Sequence, residues 1–192
     1  MAIARYLSHP QVIIDPDRDV QRWSLNDVGA ARVDALARSG ALLGTTRILC
    51  SDETKAIETA TPLANSLQLK VEIIPNTHEN DRSATGYLPP EAFEALADAF
   101  FAHPDTAQQG WETARAAQMR ITQALFPRLQ EHQSGDVLIV GHGAVGTLLR
   151  CALSNASISR THDQPAGGGN WFGFDLPHGA PHTSWQPMER LV

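Results

Sequence analysis

The run DVLIVGHG, residues 136–143, constrains the fold more than any other stretch of the chain. Val137 to Val140 form an unbroken apolar block rather than an alternating one. The block passes through Gly141-His142-Gly143 directly into AVGTLLRCAL, whose apolar residues recur at helical spacing. A strand without alternation is covered on both faces, as in parallel sheets wrapped by helices. The same order appears upstream. AIARYL ends at Ser8-His9-Pro10 and leads to SLNDVGAARVDALARSGAL, with Val28, Val33, Leu36 and Leu42 at helical intervals and Gly40 as a stop. TRILCS then runs into DETKAIETATPLANSL, with Ser51 at the helix cap. LKVEIIP reads as a third strand, NTHENDRSATG (76–86) as a surface loop, and PEAFEALADAFFAHP and residues 111–132 as helices. NWFGFDLP is a late strand. The alternation predicts an α/β protein: a three-layer α/β/α sandwich with a mostly parallel central sheet, in a single domain spanning 1–192.

Bulk properties narrow the function classes. A net charge of -6 argues against a general nucleic-acid surface or an anionic-membrane binder, so any anion site must be a local concentration of donors. No stretch approaches the roughly 20 apolar residues of a membrane span. MAIARYL lacks the basic region and apolar run of a secretion signal, so a cytoplasmic protein is expected. Cys50 and Cys151 lie in apolar runs and read as buried thiols rather than a disulfide. His162, His178 and His182 match no standard ligand spacing, and no metal is expected. The tail that carries them is expected to pack across the sheet edge, anchored by Trp171, Phe172 and Trp185.

Ligands of such sheets sit beyond the carboxyl ends of the strands, here Ser8-His9, Ser51 and Gly141-His142. If those strands are neighbours, the imidazoles of His9 and His142 converge, and nearby helix N-termini offer backbone N–H groups to an anion. A neutral imidazole can attack phosphorus, and a second can stabilise the transferring group. Two histidines that merely end strands are the alternative, and the residues alone leave both open.

Four stretches in order resemble the histidine phosphatase superfamily, the phosphoglycerate mutase-like proteins. YLSHPQV resembles the opening that bears an Arg-His-Gly tripeptide, and WSLNDVGAARVDALA the segment that follows it. CSDETKAIETA resembles the Ser-Pro-x-x-Arg-Ala-x-x-Thr-Ala helix start, and VLIVGHGAVGTLL the strand with the second histidine. The resemblance implies a phosphoglycerate mutase-like fold. It makes His9 the phosphate-accepting nucleophile, His142 the second histidine, and Glu79 the loop carboxylate that acts as acid and then base. Lys55 takes the place of the second arginine; beside these, the residues themselves offer Ser8 as a hydroxyl donor, Gly143 at a helix start and Arg82 in the loop as phosphate contacts.

The departures matter as much. Ser8 stands for the signature arginine, Pro10 for the signature glycine, and Lys55 for the second arginine in a chain with thirteen arginines and only two lysines. A hydroxyl in place of a bidentate guanidinium loses about 1–2 kcal/mol of binding. A missing preorganised donor to a developing anion can cost about 100- to 1000-fold in rate. Arg5 shares a strand face with His9 but lies about 13 Å along it, which leaves Arg82 as the better compensating cation. Asp52 and Glu53, in the first turn of the second helix, would repel a phosphate dianion.

The function implied is a phosphatase acting on a small-molecule or peptide phosphomonoester through phosphohistidine at His9, weakened by the replaced arginines. It would need no metal or organic cofactor, with neither nucleic acid nor membrane as partner. Oligomeric state is not readable. A mutase is less expected, because an arginine-poor pocket would hold a doubly phosphorylated intermediate badly. The other class left open is a non-catalytic phosphate-binding or scaffold descendant. An unrelated α/β hydrolase would need a G-x-S-x-G elbow, which the sequence lacks.

Overall fold

The computed structural model describes residues 2–191. Its strands are β1 (Ile3–Ser8), β2 (Thr45–Cys50), β3 (Val71–Ile73), β4 (Asp136–Gly141), β5 (Asn170–Asp175) and β6 (Gln186–Pro187). They form one sheet in the order β3-β2-β4-β1-β5-β6. The pairs β3–β2, β2–β4 and β4–β1 are parallel, and β5 and β6 close one edge antiparallel. The sheet is therefore mixed, parallel across the half that carries the strand-end histidines.

Side-chain alternation splits the core in two, because successive residues of a strand point to opposite faces. Ala4, Tyr6, Val137 and Ile139 face a core shared with α3 (Pro90–Ala102), α4 (Ala114–Gln130) and α5 (Gly143–Leu153). Leu7, Leu138 and Val140 face the other core, built with α1 (Asp27–Ser39) and α2 (Thr54–Leu67). Each fully buried Leu, Val or Ile is worth about 1.5–3 kcal/mol against exposure. This two-sided burial is why VLIV shows no alternation.

Strand register sets the site. Ser8 pairs with Gly141 and Cys50 with Val140, so β1, β4 and β2 end level. The pairing runs one step past the strands: His9 N donates to Gly141 O at 2.9 Å and Ser51 N to Val140 O at 3.0 Å. His9, His142 and Ser51 thus leave the sheet side by side.

Some local expectations shift. Val28 is exposed on the outer face of α1, while Val33 and Leu36 are buried. Ser51 is not the cap of α2, because its N–H still belongs to the sheet. Glu53 is the N-cap residue, and its N–H donates to Ser51 Oγ at 3.3 Å. The helix expected from residue 111 starts at Ala114, where Thr113 Oγ1 accepts from Ala116 N at 3.1 Å. Trp111 instead belongs to the preceding loop, buried, with its indole N–H on Thr85 Oγ1 at 2.9 Å. The tail adds β6 to β5, and Trp185 packs edge-on to Phe172 with ring centres 4.8 Å apart. Cys50 and Cys151 are free and buried. Among the described residues no helix is long and apolar enough to cross a membrane.

Candidate active site

The rings of His9 and His142 meet edge to face, with centroids 5.3 Å apart and planes at 69°. His9 Nδ1 lies 2.8 Å from the carbonyl oxygen of Pro10. A carbonyl only accepts, so Nδ1 carries the hydrogen and Nε2 keeps the lone pair. Burial, then the neighbouring His142 and Lys55, push the His9 pKa down to about 3, so the ring is neutral at ordinary pH. His142 is fully buried, and burial followed by the Lys55 charge holds it well below the usual imidazole range. Its Nε2 is 2.8 Å from Ser51 Oγ, and its Nδ1 has no partner among the described residues.

The main chain of His142 is fixed from below. Tyr6 donates its phenol hydrogen to His142 O at 3.0 Å and accepts from His142 N at 3.0 Å. Burial raises the Tyr6 pKa and keeps that hydrogen in place. The His9 turn is fixed by Gly167-Gly168-Gly169, all at positive φ. Gly169 N donates to His9 O at 2.9 Å, and a Cβ on Gly168 would lie 2.4 Å from that oxygen. Only glycine passes there. Arg32 grips the carbonyls of Gly168 and Gly169 at 3.1 and 3.2 Å and pairs with Glu189.

Beneath the rings lies a buried ion pair. Glu53 and Lys55 are joined through Oε2 and Nζ, and each side chain is only 4% exposed. Lys55 Nζ also donates to Val20 O at 2.8 Å. The other Glu53 oxygen accepts from Glu79 N at 2.9 Å and stands 3.7 Å from His142 Nε2. A carboxylate thus occupies the space between the second histidine and the lysine. Asp52, its neighbour, is exposed.

Glu79 sits over the start of α5. Its carboxylate accepts from Ala144 N at 3.1 Å and Val145 N at 2.9 Å, so those amides are taken by the chain itself. Burial raises the Glu79 pKa, and the two amides partly offset the rise. The loop that carries it is held by Arg120 of α4. That guanidinium donates to the carbonyls of Asn76 and His78 at 3.0 and 3.1 Å and of Glu79 at 3.3 Å, and pairs with Glu112 at 2.7 Å. Arg82 lies over the Phe93 ring, 4.8 Å from its centre, near the charges of Glu79 and Glu53.

His9, Glu79, Arg82 and Gly143 line one cleft of about 370 Å³. A second of about 350 Å³ lies on the other side of Glu79 and Arg82, walled by Glu53, Val20 and Tyr87. Both are ordinary sizes for small-molecule sites. Ser8 is fully buried beneath the first cleft. Its hydroxyl donates to Gln164 Oε1 at 2.5 Å and accepts from Asn170 N at 3.1 Å, which leaves no hydrogen for an anion. Arg5 is paired with Asp136 at 2.8 Å, away from the site. Among the described residues no group of three His, Cys, Asp or Glu side chains is arranged to hold a metal ion.

The structure brings His9, Glu79, Arg82 and Gly143 to one cleft and sets Lys55, His142 and Ser8 in the layer below. Sequence reasoning missed Gln164, Asn170, Arg120 and the triple glycine. Of these only the glycine run stands out in the sequence, since three consecutive glycines before a strand mark an unusual backbone. Glu53 reads in the sequence only as a helix-start acid, and its burial follows from its partners Lys55 and Glu79, which tertiary packing brings to it.

The profile of the histidine phosphatase superfamily (branch 1) matches residues 13–181, starting just beyond Ser8-His9-Pro10. No curated protein matches the sequence. Among solved structures, the chain is similar to the mycobacterial glucosyl-3-phosphoglycerate phosphatase, at 18% identity and a TM-score of 0.76, over 97% of this chain and 99% of that one. It is similar to a phosphoserine phosphatase from Entamoeba histolytica, solved with 3-phosphoglyceric acid, at 17% identity and a TM-score of 0.78 over 100% of both chains. A putative alpha-ribazole-5'-P phosphatase from Escherichia coli aligns at 19% identity and a TM-score of 0.75, over 97% of each chain. Identities this low speak for the fold alone. The profile covers most of the chain, and the chain belongs to the histidine phosphatase superfamily, branch 1.

Proposed function

We propose that this protein hydrolyses phosphomonoesters at His9. The observation that carries the reading is the His9 tautomer: the Pro10 carbonyl holds the hydrogen on Nδ1, and the ring lines the cleft with Nε2 unprotonated. In the first step the Nε2 lone pair forms the N–P bond as the P–O bond to the leaving group breaks. Glu79, protonated more readily than an exposed carboxyl, gives its proton to the departing oxygen. In the second step the Glu79 carboxylate takes a proton from water as that water attacks phosphorus, and the N–P bond breaks to release orthophosphate. Arg82 and Gly143 are among the residues that line the cleft and can offer donors to the phosphoryl oxygens. His142, with Nδ1 unpartnered, and Lys55 stand behind them. The structural neighbours named as phosphatases of glucosyl-3-phosphoglycerate and phosphoserine support a small phosphorylated metabolite as the substrate class.

A second reading is favoured by one observation, the Glu53 carboxylate lodged between His142 and Lys55. It neutralises the lysine where a phosphoryl group needs positive charge, as in a phosphate-binding or scaffold descendant without turnover. Incubation with an aryl phosphate at mildly acid pH, beside His9→Ala, separates the two. Turnover that disappears in the variant is expected. Equal rates in both proteins would remove His9 from the mechanism, and no turnover in either would favour the second reading.

A further inference from the structure

We infer that Gln164 is a ligand of the phosphoryl oxygens in this cleft, with Ser8 and Asn170 as its positioning residues. The inference rests on the phosphatase reading above and names a donor which that reading lacks.

The argument starts from a carbonyl. Pro165 O can only accept, so the Asn170 nitrogen 3.1 Å away is Nδ2. Asn170 Nδ2 also lies 3.2 Å from the Gln164 side chain, so the Gln164 atom it faces is the oxygen. Ser8 Oγ accepts from Asn170 N, which frees its hydrogen for the same Gln164 oxygen at 2.5 Å. Two donors thus hold Oε1 against the protein and settle the orientation of the amide. The backbone is anchored as well: Gln164 N donates to Asp163 Oδ1 at 2.8 Å, and that oxygen accepts from Thr147 Oγ1 at 2.9 Å.

With Oε1 committed, Nε2 is turned the other way. It lies over the first residue of α5, where a Cβ added to Gly143 would be 2.2 Å from it. Glycine at 143 therefore makes room for this amide. Nε2 has no acceptor among the described residues, and Gln164 lines the cleft together with His9 and Gly143. The Ala144 and Val145 amides are occupied by Glu79, so the Gln164 amide is an unused, fixed donor in the cleft that His9 also lines. Ser8 contributes to the site without touching an anion.

The test uses the full chain, with an aryl phosphate for kcat and KM and orthophosphate titration calorimetry for binding. Gln164→Ala should weaken orthophosphate binding and lower kcat/KM by about 100-fold, the effect of removing one preorganised donor. Gln164→Glu keeps the oxygen that Ser8 and Asn170 hold and puts a second oxygen where Nε2 was. It should fold with unchanged thermal midpoint and bind orthophosphate more weakly than Gln164→Ala. Ser8→Ala should lower kcat and, by leaving the buried Asn170 N–H unpaired, cost about 1–3 kcal/mol of stability, whereas Ser8→Thr, which keeps the hydroxyl, should restore kcat. An active wild type with Gln164→Ala and Gln164→Glu within twofold of it in both measurements overturns the inference and leaves His9 untouched. A wild type that neither turns over nor binds orthophosphate overturns the phosphatase reading and this inference together.

Discussion

Glu53→Gln separates two effects of one buried carboxylate. Glu53 and Lys55 are each 4% exposed, and removing one partner of such a pair costs about 3–5 kcal/mol because the other charge stays buried alone. The loss should fall towards the upper end, about 4–5 kcal/mol. Lys55 Nζ keeps the Val20 carbonyl at 2.8 Å, but an amide oxygen that accepts from Glu79 N turns its NH2 group towards the ammonium. For an incoming anion the sign reverses. Glu53 Oε1 stands 3.7 Å from His142 Nε2, which is already bonded to Ser51, so that histidine can hold a phosphoryl oxygen only through Nδ1, on the other side of the ring. At about 7 Å and an effective dielectric constant near 20 the repulsion from Glu53 is about 2.4 kcal/mol. Half of it, after screening, corresponds to about 8-fold in affinity. The variant should therefore unfold more easily in urea without ligand and bind orthophosphate about 8-fold more tightly. Phosphate at about 100 times its dissociation constant should return about 2.7 kcal/mol of stability. Urea unfolding with and without orthophosphate, with calorimetry for affinity, reads all three. A variant as stable as wild type with the same phosphate affinity would refute the reasoning.

Two further outcomes follow from the geometry. Glu79 must be protonated to serve the leaving group, and its pKa is raised, so kcat/KM should fall as pH rises through that value. The low His9 pKa of about 3 means that nucleophile protonation adds no acid limb near neutrality. In a pH–rate series Glu79→Gln should lose the alkaline limb along with about 100- to 10,000-fold in rate, and an unchanged limb would assign it elsewhere. Gly146→Ala would set a Cβ 2.4 Å from the Tyr6 ring, which is stacked on Phe172 and cannot retreat. It should cost about 1–3 kcal/mol by thermal or urea unfolding and lower activity by moving His142. A stable and fully active variant would show that Tyr6 does not fix the histidine.

The layers, the sheet and both strand-end histidines could be read from short-range pattern, because strand and helix periods are properties of neighbouring residues. VLIV announced a doubly covered strand, and the level ends of β1 and β4 followed from their pairing. Glu79 could be picked from NTHEND through the family resemblance. Gln164 could not, since its partner Ser8 lies 156 residues away and nothing local marks the glutamine. Glu53 misled in a different way. At a helix start an acid normally faces water, and here the cap turns inward because Lys55 and the Glu79 N–H receive it. Val28 fits the helical period yet faces outward, since period fixes a stripe and packing decides its width.

Arg120 holds the loop above the cleft by its main-chain oxygens at Asn76, His78 and Glu79. Those oxygens are present whatever amino acids occupy the three positions. The tether is therefore indifferent to the loop's spelling, and side chains there are free to be exchanged for new specificities while the path of the chain stays where Arg120 has fastened it. Replacing Arg120 would instead release every such variant at once.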